Sequence, residues 1–222
     1  MIGLQILERK RQVSSSVVEA FRSVPVANVS DCMWRMTAGG AGLRPYHDGT
    51  VLAGPALTVK VRPGDNLMIH KALHLAKPGD VIVVDGGGDL TNSLIGELMV
   101  TTAIKRGIAG FVMNGAIRDV DAIKAGSFPV YAAGVSHRGP YKDGPGEINV
   151  PISLNGMVIN PGDLILGDAD GLLSVPFEAT EEILEAARKK SAAEKVTFKE
   201  IDDGTLDITW IEAALARLGY KG

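Results

Sequence analysis

The sequence predicts an α/β protein, and three observations carry that reading. Short apolar runs such as 81–84 (VIVV) and 110–113 (GFVM) have the length and composition of buried strands. Stretches of helical period, 67–75 and 98–105, lie between them. Tight turns separate most segments, consistent with 27 glycines and 11 prolines in 222 residues.

A chain of 222 residues suits one large domain, or one domain with an extension, and can bury most of its apolar surface. Hydrophobic residues make up 45% and charged residues 22%, the balance of a globular protein. A formal net charge of −3 gives no general attraction to nucleic acid or to an anionic membrane. No run approaches the ~20 apolar residues of a membrane span. Cys32 is the sole cysteine, so there is no internal disulfide, and a reducing cytoplasm is the simplest compartment. The opening MIGLQILERKRQVSSS becomes charged too early to read as a secretory signal.

Taken in order, 14–22 reads as a helix with Val17, Val18 and Phe21 on one face, ended by Pro25. Asn28-Val29-Ser30-Asp31 offers the cap of a second short helix running to Met36. A glycine-rich loop, 37–42, and the turn His47-Asp48-Gly49 follow. Residues 50–61 alternate as a strand pair broken near Gly54-Pro55. The helix 67–75 leads to the strand 81–84, which runs into Asp85-Gly86-Gly87-Gly88-Asp89. Beyond the helix 98–105, Gly107 turns the chain into the strand 110–113, and a short helix is expected at 120–125. Phe128-Pro129 introduces a strand at 130–133, and 136–148 reads as a polar loop without regular structure.

Short strands at 157–159, 164–166 and 172–175 are separated by Asn160-Pro161-Gly162-Asp163 and by the acidic glycine turn 167–171. Pro-Gly-Asp recurs at Pro63, Pro78 and Pro161, a faint internal echo. The helix 180–195 turns Ile183, Leu184 and Ala187 inward and Glu–Lys pairs outward. A last helix, 209–218, aligns Ile211, Leu215 and Leu218, with Gly219 just past its end. The division expected is an α/β domain over 1–176 and a helical extension over 177–222, placed to reach a neighbouring subunit.

The chemistry concentrates in 96–121, GELMVTTAIKRGIAGFVMNGAIRDVD, where twenty residues separate Glu97 from Arg118-Asp119. A helix, a turn and a strand return the chain near its start, so the Glu97 carboxylate can approach Arg118 and Asp119. Two acids and an arginine suit a hard metal ion and an anionic substrate. With Gly96 opening the helix, the Leu98 and Met99 amides have no partner inside it and face outward at the positive end of the dipole. The blander alternatives are that Glu97 only complements that dipole, and that Asp119 only caps 120–125 with Arg118 as its ion pair. Their joint position after a buried strand and Gly115, at a sheet edge where α/β proteins keep ligands, favours the site.

Other candidates are weaker. The turn 85–89 lacks the glycine spacing of a dinucleotide site and the Lys-Ser/Thr of a P-loop, and reads as backbone passing close to the pocket. His70 and His74 are four apart on a helix, but no glutamate follows His70, and a core or surface role is favoured over a metal pair. Ser136-His137-Arg138 and Lys142 are candidates for a substrate's distal carboxylate, within what otherwise reads as a solvated loop. Cys32 has only Arg35 as a nearby base and reads as inert.

At these residues the chain resembles the RraA-like family of metal-dependent 4-hydroxy-4-methyl-2-oxoglutarate / 4-carboxy-4-hydroxy-2-oxoadipate aldolases and regulators of ribonuclease E. The motif is an acid, twenty residues, then Arg118-Asp119, set among VSDCMWR, VLAGPALTVKV, GDVIVVDGGGD, GIAGFVMNGAIRDVDAI and PGDLILGDADGLLSVP. The likeness extends over 24–176.

It implies a layered α/β fold of the swivelling β/β/α type with a C-terminal helical extension, assembled as a homotrimer or homohexamer with sites between subunits. It implies that Asp119 binds Mg2+ (or Mn2+) directly and that Glu97 holds it through water. Arg118, with the backbone at Gly96, Leu98 and Met99, would bind the pyruvyl end of a 2-oxo acid. Where the aldolases usually carry aspartate, this chain has Glu97, one methylene longer. A glutamate from a neighbouring subunit's C-terminal region completes the aldolase site, and Glu194 is the candidate here.

The activity so implied is class II aldol cleavage of 4-hydroxy-2-oxo acids to pyruvate, with oxaloacetate decarboxylation as a side activity and Arg118 and Glu97 as its catalytic side chains. The alternative is a regulator that binds ribonuclease E or another protein without turnover. The two helices after Pro176, which the regulators typically lack, favour the enzyme. A methyltransferase reading finds no S-adenosylmethionine loop.

Overall fold

A mixed ten-stranded sheet frames the molecule, and its four central strands run parallel. The computed structural model describes residues 1–220, so the last two residues of the expected extension, 221–222, lie outside the described residues. In chain order the elements are β1 (Leu4–Ile6), α1 (Ser15–Arg22), α2 (Val26–Cys32), β2 (Arg44–Pro45), β3 (Leu52–Val61), α3 (Leu67–Leu75), β4 (Val81–Asp85) and β5 (Ser93–Ile95). They continue with α4 (Glu97–Lys105), β6 (Gly110–Ile117), α5 (Val120–Lys124), β7 (Val130–Val135), β8 (Gly146–Ile148), β9 (Ile152–Leu154) and β10 (Met157–Ile159). The hairpin β11 (Leu164–Gly167) and β12 (Leu172–Val175) precedes α6 (Thr180–Asp203) and α7 (Thr209–Arg217).

The main strand order is β1-β8-β3-β4-β6-β7-β2, with β5 beside the end of β6 and the β11–β12 hairpin on β3. Helices α3, α4 and α5 make the crossovers between the parallel strands. Both faces of the central strands are therefore covered, which is why their sequences are continuous apolar runs. Alternation still sorts the side chains. Val83, Val112 and Tyr131 join a core with Phe21, Val29 and Leu166, under α1, α2, α6 and the C-terminal strands. Val84, Phe111, Met113 and Ala132 join the opposite core with Ile69, Leu73, Met99 and Ile123, under α3, α4 and α5. A one-residue slip of any central strand would exchange these two sets.

Several expected boundaries move. Residues 52–61 are one continuous strand, because β3 changes partner rather than breaking: Leu52 to Pro55 pair with β11 and Ala56 to Lys60 pair with β4. Gly54 is needed there, since a Cβ would run into the Gly79 carbonyl. Helix α2 starts after Pro25, not at Asn28, and stops at Cys32, because Trp34 and Arg35 take φ of 57° and 61°. The loop expected over 136–148 ends in β8, which is buried and pairs with both β1 and β3. Strand β6 runs on past Met113 to Ile117, and α6 runs on past Lys195 to Asp203.

Helix α6 packs its first half on α1 and α2, with Ala187 fully buried. Helix α7 buries none of its residues and exposes Trp210 and Ile211. No helix among the described residues is long and apolar enough to cross a membrane.

Candidate active site at the start of helix α4

The end of β6 and the start of α4 are locked together by backbone geometry. The Arg118 N–H donates to the Ile95 carbonyl of β5 at 3.0 Å, and Gly96 follows at once as the residue opening α4. Asp119 takes the left-handed conformation, φ 58° and ψ 38°, which aspartate tolerates better than bulkier residues. That conformation turns its carboxylate back onto α4, where Oδ2 accepts the Glu97 N–H at 2.9 Å. Asp119 occupies the capping position of α5 without capping it through its side chain. The plain capping role is thereby excluded, since the carboxylate serves a different helix. Arg118 Nε lies 3.8 Å from the same Oδ2, and both side chains remain about two-fifths exposed, at 43% and 42%.

Gly96 makes the approach possible. A methyl group there would strike the Asp119 carboxylate and lie 3.0 Å from Arg118 Cγ and 3.1 Å from Nε. Of the two amides expected to be open, Leu98's makes no hydrogen bond among the described residues. The Met99 N–H instead donates to the Gly96 carbonyl at 3.1 Å, tightening the first turn. The dipole end at this turn thus offers the Leu98 amide beside the Arg118 guanidinium. That combination favours an anion.

A cavity of about 150 Å³ opens here. Gly96, Leu98, Met99, Arg118 and Asp119 form one side, and Asn66, His70, Pro140 and Lys142 form the other. Burial, with the positive charges of Lys142 and His74 adding to it, holds the His70 imidazole below its ordinary pKa, so it is disposed to stay neutral. His70 therefore enters the site as part of the wall, while His74 does not line the cavity. Asn66 is buried, and its Nδ2 donates to the Leu94 carbonyl at 2.9 Å, an acceptor that sets the amide's orientation. Its Oδ1 is left without a partner among the described residues, at the cavity wall.

The remaining candidates fall elsewhere. The Glu97 backbone meets Asp119, but its side chain lines a groove on the other side of α4 with Val100, Ile104 and Phe128. Ser136 and His137 line a second cleft that Arg118 and Asp119 also line, whereas Arg138 contributes its carbonyl to Ser93. Glu194 accepts from Asn28 Nδ2 at 2.8 Å and lies 3.7 Å from Lys190 Nζ, so within one chain it belongs to the α2–α6 contact. Cys32 is a half-buried free thiol. In the turn 85–89 the Gly86 and Gly88 amides both donate to the Asn114 carbonyl, which folds the glycines over β6.

Among the described residues no three His, Cys, Asp or Glu side chains gather to hold a metal. A cation beside Asp119 would have few protein ligands and several waters. That is the habit of Mg2+, so the single exposed carboxylate of Asp119 fits such an ion.

A parallel-centred α/β sheet, with an arginine and a carboxylate presented together at a glycine-opened helix, defines the class of protein. The chain belongs to the RraA-like family, whose Aldolase/RraA model matches residues 26–173. A relative from Halalkalibacterium halodurans, provisionally named a 4-hydroxy-4-methyl-2-oxoglutarate aldolase, is 41% identical over 197 residues, 89% of this chain and 94% of its own. The 4-hydroxy-4-methyl-2-oxoglutarate aldolase of Thermus thermophilus is 36% identical over 124 residues, 56% of this chain and 75% of its own. Among solved structures, an uncharacterized protein from Pseudomonas syringae matches with a TM-score of 0.78 and 25% identity, over 87% of this chain and 95% of its own. The RNA-processing inhibitor RraA from Thermus thermophilus matches with a TM-score of 0.64 and 30% identity, over 69% of this chain and 93% of its own.

Proposed function

We propose that the chain is a divalent-metal-dependent aldolase cleaving 4-hydroxy-2-oxo acids, such as 4-hydroxy-4-methyl-2-oxoglutarate, to pyruvate, with oxaloacetate decarboxylation as a side activity. Relatives named as aldolases support a lyase. The observation that carries the reading is Arg118 and Asp119 turned together onto the first turn of α4.

In this reading Asp119 would hold Mg2+ or Mn2+ directly, and Glu97 would hold it through water once its exposed side chain swings from the groove beside Val100 toward Asp119. When bound, the ion supplies Lewis-acid polarisation of the 2-oxo group. Arg118 and the Leu98 amide bind the carboxylate of the pyruvyl half, and Arg118 offsets the negative charge that grows there as the C–C bond breaks. From that swung position the Glu97 carboxylate, exposed and free of ion pairs among the described residues, would take the proton of the 4-hydroxyl through water as the C3–C4 bond breaks and the new carbonyl forms, and return it to C3 of the pyruvyl half to complete pyruvate. Lys142, across the cavity, meets the distal carboxylate of a dicarboxylic substrate. A homotrimer or homohexamer would bring a neighbour's C-terminal extension to this site, with Glu194 as the residue completing it.

The test is pyruvate release from 4-hydroxy-4-methyl-2-oxoglutarate and from oxaloacetate, with Mg2+ and then with EDTA. Turnover that EDTA abolishes and Mg2+ restores is expected. The likeness to the RNA-processing inhibitor favours a second reading, a protein that binds ribonuclease E without turnover. Folded protein that releases no pyruvate from either compound, yet binds ribonuclease E, would replace the first reading with this one.

A further inference from the structure

The far wall of the cavity is two chain segments sewn together by one buried carboxylate. Asp65 ends the first Pro-Gly-Asp turn and is fully buried. Its Oδ1 accepts the Leu67 N–H at 2.9 Å, at the start of α3. Its Oδ2 accepts the N–H groups of Asp143 at 2.8 Å and Gly144 at 2.9 Å, with Arg62 3.1 Å away. Tyr141 closes the seam. Its N–H donates to the Gly64 carbonyl at 2.9 Å, its carbonyl accepts the Asn66 N–H at 3.0 Å, and the Arg62 guanidinium lies over its ring at 5.9 Å. Lys142 therefore stands between two residues whose backbones are both pinned.

The chemistry of the seam asks for a carboxylate. Three amides and a guanidinium converge on two oxygens, so an asparagine in either orientation would oppose a donor to at least one donor. Burial works to raise the Asp65 carboxyl, and the amides with Arg62 outweigh it, holding it below the ordinary aspartate range.

We propose that Asp65 is a positioning residue for the reaction, a latch holding residues 140–144 against the start of α3 so that Lys142 meets the distal anionic group of the substrate. The latch rests on the geometry, and the substrate it serves rests on the aldolase reading.

The experiment compares wild type with Asp65→Asn by two measurements. Hydrogen exchange over residues 139–145 is expected to quicken about tenfold or more, the worth of one lost hydrogen bond, while 97–106 keeps its protection. For 4-hydroxy-4-methyl-2-oxoglutarate, KM is expected to rise about tenfold with kcat held, while a 4-hydroxy-2-oxo acid lacking the second carboxylate is cleaved within about twofold of wild type. Adding Asp65→Asn to Lys142→Ala should then cost little more than Lys142→Ala alone. Arg62→Gln, a milder lesion at the exposed end of the latch, should show the same split to a smaller degree if Asp65→Asn folds poorly. Unchanged exchange overturns the latch whether or not the protein turns over. Quickened exchange with equal losses on both substrates, or additive losses with Lys142→Ala, overturns the positioning role. A wild type that cleaves neither substrate removes the aldolase reading, and exchange alone then decides the latch.

Discussion

Arg118, Asp119 and Gly96 form one geometric unit at the start of α4, and the proposed function makes each of them testable. Arg118 carries a planar, permanently charged fork, so Arg118→Ala is expected to lower kcat/KM by about 100-fold or more, and Arg118→Lys to restore only a fraction. Steady-state pyruvate release checks both. In Gly96→Ala the added methyl displaces the Asp119 carboxylate, so activity should fall about 100-fold while the fold survives, as seen by kinetics beside thermal unfolding. His70 makes a pH prediction. Its pKa in the folded chain lies below the ordinary 6.5, so just under that pH the unfolded chain binds more protons and stability falls as pH drops. His70→Gln should flatten that fall in denaturation curves between about pH 5 and 7. Arg118-Asp119 was legible in the sequence because adjacent unlike charges after a buried strand are conspicuous. Asn66 and Asp65 were not, because their importance comes from which backbone atoms surround them, and no spacing rule records that.

At the scale of elements, legibility followed length. The apolar runs of β4 and of the first half of β6 announced themselves, whereas β1, β5 and β8, three residues each, are too short to show a period. The Gly54-Pro55 break misled because a strand can change partner without ending, and sequence shows the irregularity but not the new neighbour. The start of α2 misled for another reason. Asn28 looks like a cap, but it is buried and spends its amide on Glu194 of α6, a contact distant in sequence. The parallel core should behave as one packed unit. Phe111 lies edge-on to Phe128, with ring centres 5.6 Å apart, so Phe111→Ala should cost about 3–5 kcal/mol in chemical denaturation.

For the whole molecule, the C-terminal arm stands apart from the body. Helix α7 buries no residue, and Val196, Phe198 and Ile201 on α6 are exposed. An apolar surface of this kind is expected to be covered by another copy. If the trimer or hexamer implied by the family resemblance forms through this arm, native mass should be three or six times 23.4 kDa, and removing the chain beyond Asp203 should lower it. Light scattering on both forms checks this. Under the proposed function, turnover depends on the carboxylate that accepts the Glu97 N–H at the start of α4. The most direct test is pyruvate release by Asp119→Ala in saturating Mg2+, with thermal unfolding to confirm the fold. A folded protein with no measurable turnover is expected, whereas activity near wild type would contradict the role proposed for Asp119.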